Sequence, residues 1–319
     1  MQDAPNTIKL EMTEGCNFRC RMCGIQGIRE ARGDYKFMDL ETAVHIAGEI
    51  SDSGWNSKIE FALRGEPLMN PHSVAIIDIF RRNLPKTHLM VTSNATPLLK
   101  PPGVHANISR LFDAGLNILA LDAYKDSAKA IEQVRGYNAV EIWDYSNASK
   151  KESPYTKVKA SRQRIFIMED MEEAVLTGQR VGTKIGNNHC GAGLPTLVEP
   201  LAKRCARPFR EMAIRYDGQV MLCCNDWRGI YKAGNIDDGS LEEIWNNDAF
   251  DAARKHLYHR DRNFGPCKGC DNTSFRVGIL PDKVGKQDLP VPTADDRKTV
   301  DWASSGEPMT KPVLRPWEK

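Results

Sequence analysis

Over residues 7–13 apolar and polar positions alternate. Ile8, Leu10 and Met12 share one side, and Lys9, Glu11 and Thr13 the other, which is the period of a β-strand. The spacing then becomes helical. Asp39 is placed to cap a helix whose Leu40, Ala43, Val44, Ala47 and Ile50 form one stripe, stopped near Gly54. The alternation continues with a strand at 58–64, a helix at 71–83, strands at 88–92 and 117–122, a helix at about 126–135 and a strand at 164–168. Strands alternating with helices predict an α/β protein built from parallel β/α units. Five or six units in about 190 residues fall short of the roughly 250 residues of a closed eight-unit barrel. The expectation is a partial (β/α) barrel of about six units, with no sixth strand assigned in 171–193.

Beyond Pro200 the pattern changes. Asp217-Gly218 is a hairpin turn signal between 213–216 and 219–222. Ser240-Leu241-Glu242-Glu243 is a capping box. It opens a helix that buries Leu241, Ile244, Trp245, Ala249, Ala252 and Leu257. These elements predict a small C-terminal hairpin-plus-helix annex. From Ile279 onward six prolines and no clear period predict an extended tail. The expected division is 1–200 for the barrel, 201–278 for the annex and 279–319 for the tail.

Composition narrows the class. With 41% hydrophobic and 27% charged residues, the chain affords a sizeable core, which excludes wholesale disorder. A net charge of +2 gives no global attraction to nucleic acid or membrane. No apolar run approaches the roughly 18 residues that span a bilayer. The N-terminal segment has no signal-peptide pattern, so a cytoplasmic protein without membrane contact is expected.

The nine cysteines then carry the chemistry. In a reducing compartment they are poor disulfide candidates, and their spacing points to metal. Cys16-x3-Cys20-x2-Cys23 directly follows the first strand. A four-iron cluster takes four ligands, so three thiolates leave one iron open to an external ligand. A zinc knuckle that borrows a distant ligand is the alternative.

C-x3-C-x2-C after the first barrel strand resembles the radical S-adenosylmethionine (SAM) superfamily, in which the open iron is chelated by SAM. That resemblance implies reductive cleavage of SAM to a 5′-deoxyadenosyl radical, which abstracts a substrate hydrogen. Met22 stands where the family usually has an aromatic residue. Arg64-Gly65-Glu66-Pro67 ends the second strand, where the family has a Gly-Gly-Glu-Pro-like motif holding the SAM amino group. Arg64 replaces the first glycine, so Gly65 and Glu66 carry over. The resemblance further assigns to SAM Ser93 and Asn94 after the third strand, Asp122 after the fourth, where Ala120 replaces a serine, and Arg135 in the next helix. All these groups are expected at C-terminal strand ends, where barrel enzymes build their sites.

A second set reads Cys205-x17-Cys223-x43-Cys267-x2-Cys270. It resembles the SPASM annex of radical SAM enzymes in its short, Twitch form, which holds one auxiliary four-iron cluster. The resemblance covers about residues 7–278 and implies two [4Fe-4S] clusters. A zinc ribbon is the alternative for these four cysteines. Cys224 reads as a packed thiol beside a ligand. Cys190 reads as a buried thiol or as a hydrogen-atom donor to a substrate radical near a late strand end.

The expected reaction is oxidation, epimerisation or rearrangement of a small polar or anionic substrate, driven by a reductant such as flavodoxin or ferredoxin. Only fifteen residues precede Cys16, too few for a fused leader-peptide-recognition domain. A peptide maturase would then need a separate recognition partner. The basic run of Lys150, Lys151, Lys157, Lys159, Arg162 and Arg164 keeps a nucleotide or nucleic-acid substrate open. Glu11, Arg64, Asp122, Tyr124 and Glu169 are candidate pocket residues. Outside enzymology the rival is a zinc-stabilised binding module.

Overall fold

The computed structural model describes residues 4–20, 23–27, 35–146, 163–168, 188–192, 197–272 and 289–305. The basic run at 150–162, Glu169 and most of 171–193 lie outside the described residues.

Six parallel strands form the barrel wall: β1 (Thr7–Leu10), β4 (Lys58–Phe61), β5 (Leu89–Ser93), β6 (Ile118–Asp122), β7 (Glu141–Asp144) and β8 (Arg164–Met168). In space β8 lies between β6 and β7. The sixth strand is thus β7, an edge strand that sequence periodicity missed because all four residues are half-buried or exposed. A short ribbon of β2 (Thr13–Glu14) and β3 (Lys36–Phe37) stands apart.

Helices α1 (Leu40–Asp52), α2 (Ser73–Asn83), α3 (Val104–Asp113) and α4 (Ala128–Arg135) cover one face of the wall. Asp39 caps α1, its Oδ1 accepting from Thr42 N at 2.7 Å. The buried stripe is Ala43, Ile46, Ala47 and Ile50, whereas Leu40 and Val44 are exposed. The buried face is rotated by part of a turn from the expected stripe, because Ile46 packs inward with Ala43, Ala47 and Ile50 while Leu40 and Val44 face solvent. α3 escaped sequence reading although Val104, Ile108, Leu111 and Phe112 are buried at helical spacing.

Against the helices pack Ile8, Leu10, Ile59, Phe61, Leu89, Val91, Leu119, Leu121, Ile165 and Ile167. The other face of the wall is mixed. Lys9 and Glu60, opposite each other in register, form an ion pair at 3.0 Å, while Met90, Ile118, Ala120 and Phe166 cluster with Trp143 and Tyr145.

The annex is continuous with the barrel. β9 (Glu211–Ile214) pairs in parallel with β1, and β10 (Gln219–Met221) and β11 (Lys232–Asn235) extend the same nine-stranded sheet antiparallel. β9 thereby satisfies the edge of β1 that would otherwise be unpaired. Ser240 and Glu243 form the expected capping box. The single predicted helix is two, α5 (Leu241–Trp245) and α6 (Asp248–Tyr258), because Asn247 caps the second through Phe250 N. The expected apolar side is buried throughout. The tail is not extended throughout: α7 (Ala294–Ala303) opens with a Thr293–Asp296 capping box and buries Val300 and Ala303. Among the described residues no helix is long and apolar enough to cross a membrane.

Candidate active site and iron–sulfur centres

The ladder between β1 and β4 resumes beyond their ends as a bridge between Gly15 and Gly65. Glu66 N donates to Gly15 O at 2.9 Å. This bridge sets Cys16 beside the Gly65-Glu66 turn. Glu66 is buried, its Oε2 accepting from Asn94 N at 2.7 Å and its Oε1 from Leu68 N at 3.0 Å. Ser93 donates to the same carboxylate. Burial pushes the Glu66 carboxyl up to about 7, against the pull of those hydrogen bonds. Asn94 Nδ2 reaches Asn17 Oδ1 at 2.8 Å and Cys16 Sγ at 3.6 Å. Gly65, Glu66, Ser93 and Asn94 thus converge on the first cysteine.

Cys16, Cys20 and Cys23 are half-buried. Phe18 N donates to Cys16 Sγ at 3.4 Å, and Cys23 N to Cys20 O at 3.0 Å, which closes the loop. All three thiols lie near Tyr124, whose phenol is pushed up by burial, by Asp122 and by those sulfurs. Tyr124 packs edge-on against Phe18 at 5.7 Å between centroids. Asp122 stays half-buried at the end of β6 beside this group. Arg135 does not join it. It lies at the end of α4, ion-paired with Asp144 at 2.9 Å and Glu132 at 3.2 Å. Two residues separate the end of β6 from the turn Lys125–Ser127 that leads into α4, and Arg135 sits at that helix's far end, its side chain reaching Asp144 at the C-terminal end of β7.

Arg64, the departure from the glycine pattern, is enclosed. It grips Glu11 with Nε and Nη2 at 2.7 and 2.8 Å, also meets Glu14, and donates from Nη1 to Trp227 O at 3.0 Å. Arg215 adds a second cation to Glu14 at 2.8 Å. Arg64 and Glu11 are therefore a buried bidentate pair that ties the first loop to the annex, rather than free pocket residues. Arg164, the one described member of the basic run, stacks over Trp143 at 4.3 Å and pairs with Glu141 at 3.0 Å.

The second set closes around one cavity walled by Cys205, Cys223, Cys267 and Cys270, together with Cys190, Arg207 and Arg262. Asn225 N donates to Cys223 Sγ at 3.3 Å and Asn272 N to Cys270 Sγ at 3.4 Å, the same contact that Phe18 N makes at the first loop. Arg262 is buried and donates to the carbonyls of Lys203, Asn272 and Arg204. Its charge, like that of Arg207, faces thiols that bind iron as thiolates. Four convergent sulfurs, amide donors aimed at them and buried cations fit a four-iron cluster. Three half-buried sulfurs fit one with an open corner. Cys224 points elsewhere, between Arg207 Nη1 at 2.9 Å and Glu211 Oε2 at 3.3 Å.

Cys190 is buried, as the first of its two readings has it. Its thiol stands in the second cavity, on the same wall as Cys270, and not with the first cysteine loop. The neighbouring His189 carries its turn to that loop, with Cβ 2.9 Å from where a Gly24 Cβ would stand, and its ring lies 3.9 Å from Trp227. Sequence reasoning takes His189 as structural and misses Arg207 and Arg262. The signal available was basic residues close to the second set of cysteines.

Residues 10–144 match the radical SAM superfamily, and residues 205–271 match SPASM, an iron–sulfur cluster-binding domain. The chain is a radical SAM enzyme. It takes SAM and two [4Fe-4S] clusters, and both zinc alternatives fall. The enzyme is 21% identical over 275 residues to an S-adenosyl-L-methionine-dependent 2-deoxy-scyllo-inosamine dehydrogenase of Niallia circulans, covering 85% of this chain and 94% of that one. It is 23% identical over 165 residues to a GTP 3′,8-cyclase of Haemophilus influenzae (strain 86-028NP), covering 52% and 47%. Its fold matches the crystal structure of BtrN in complex with AdoMet and 2-DOIA with a TM-score of 0.62, at 18% identity, over 85% of this chain and 95% of that chain. An open conformation of BtrN matches with a TM-score of 0.57, at 17% identity, over 86% and 95%.

Proposed function

We propose that the enzyme is a dehydrogenase that oxidises a small polyhydroxylated substrate at a C–H bond. When bound, SAM and the two clusters supply a hydrogen-abstracting radical and an electron acceptor. One observation carries the choice of oxidation: the turn at 188–192 touches both cysteine sets, through His189 against Gly24 and Cys190 against Cys270. Oxidation to a carbonyl removes one hydrogen atom, one further electron and one proton. An acceptor one turn from the first loop serves the second electron. Epimerisation needs a hydrogen donor facing the substrate, and Cys190 is turned toward the second cavity instead.

Within this reading the chain's residues divide the work. Cys16, Cys20 and Cys23 hold the first cluster, and Cys205, Cys223, Cys267 and Cys270 the second. Glu66 and Ser93 accept the SAM amino group, with Asn94 holding the loop. Tyr124 and Asp122 border the substrate. The Niallia relative's name, a dehydrogenase of an aminocyclitol, favours aminocyclitols as the first substrates to try. The first electron comes from a flavodoxin- or ferredoxin-type reductant, and the site works in the cytoplasm.

Anaerobic turnover of aminocyclitols and related polyols, each deuterated at its ring carbons, tests this. The expected result is a ketone and singly deuterated 5′-deoxyadenosine in equal amounts. A product of unchanged oxidation state that carries solvent deuterium would make the enzyme an epimerase.

A further inference from the structure

Five thiols wall the second cavity, and a four-iron cluster takes four. We propose that Cys190 is the outer thiol of this centre: its S–H donates a hydrogen bond to Cys270 Sγ and raises the reduction potential of the second cluster. The inference needs the second cluster but not the proposed substrate.

The placement of Cys190 is costly and closely pinned. His189 and Cys190 both have positive φ, 46° and 56°. Two consecutive non-glycine residues in the left-handed region persist only where their surroundings over-determine them. Here the pinning comes from the ligand loop itself. Asn188 Nδ2 donates to Gly269 O at 2.6 Å, Asn188 N to Asp271 Oδ1 at 2.9 Å, and Asp271 N returns to Asn188 Oδ1 at 3.2 Å. Arg228 Nη2 holds Gly191 O at 2.7 Å. The turn is thus laced to Gly269 and Asp271, the residues on either side of Cys270, which fixes the Cys190 thiol against that sulfur.

The direction of the bond follows from ligation. A Cys270 that ligates iron does so as a thiolate, which has no proton to give, and it already accepts from Asn272 N at 3.4 Å, so Cys190 is the donor. A donor to a ligand sulfur withdraws negative charge and favours the more negative, reduced cluster. A raised potential suits an acceptor of electrons.

Full-length protein reconstituted with iron and sulfide, as wild type, Cys190→Ala and Cys190→Ser, gives the test. Iron is counted, and the EPR signal that does not change on adding SAM is titrated against potential. The expected result is about eight iron atoms per chain in all three proteins, a more negative midpoint in Cys190→Ala, and a midpoint moved back toward wild type in Cys190→Ser, whose hydroxyl also donates. An unchanged midpoint in Cys190→Ala overturns the proposal, as does loss of half the iron from both variants, which would make Cys190 a ligand.

Discussion

A methyl group on Gly65 would lie 2.2 Å from Thr13 O and 2.4 Å from Gly15 O. Both contacts are to backbone, so nothing nearby can rotate away. Gly65→Ala is expected to cost about 1–3 kcal/mol in denaturant unfolding and to weaken SAM binding by shifting Cys16 away from Glu66. The neighbouring carboxylate gives a pH signature. With its value raised from 4.5 to about 7, Glu66 keeps a proton in the folded state that the unfolded chain releases. On its account the stability of the SAM-free protein falls as pH rises from about 4.5 to about 7. A bound ammonium favours the ionised form, so SAM binding at pH 6.5 should release a proton, and affinity should fall as pH drops below about 7. Calorimetry in two buffers of different ionisation enthalpy reads this directly. Glu66→Gln should abolish the proton release and weaken binding roughly tenfold or more, the loss of a charged hydrogen bond.

At the scale of elements, Arg64 joins β1, β2 and the annex loop that carries Trp227. Its guanidinium and the Glu11 carboxylate are both almost fully buried. Removing one partner of such a pair strands the other charge, at a cost of about 3–5 kcal/mol. Arg64→Met should therefore lower stability by that order in chemical denaturation, whereas the double change Arg64→Met with Glu11→Met should recover much of it. A full loss in both would mean that the contact with Trp227 O, and not the ion pair, carries the stabilisation. Restoring the family's usual residue, Arg64→Gly, belongs with the destabilising changes, because Glu11 and Glu14 remain.

At the scale of the whole molecule, one sheet carries both cysteine sets. β1 pairs with β4 on one side, leading to the first loop, and with β9 on the other, leading to the second cavity. The two centres are therefore built separately yet held by one frame. Cys20→Ala should abolish 5′-deoxyadenosine formation from SAM while the protein keeps about four iron atoms per chain, measured by metal analysis and anaerobic turnover. Unchanged cleavage would reject the assignment of the loop.

What the chain alone determines is the local chemistry: two cysteine spacings, a Gly-Glu-Pro turn at a strand end, Asp39 and Ser240 as caps, and the alternation of β1. Each is a matter of residue type at short separation, which local geometry reads directly. Tertiary structure decided the rest. Glu11 sits at a polar position of an alternating strand, yet is buried because Arg64, 53 residues later, neutralises it. β7 shows no period because it forms the edge of the wall, and β9 joins β1 through pairing across about 200 residues. Cys190 shares no spacing motif with the other thiols. Its place beside Cys270 depends on Asn188 meeting Gly269 and Asp271 in the folded chain, a contact that no local pattern encodes.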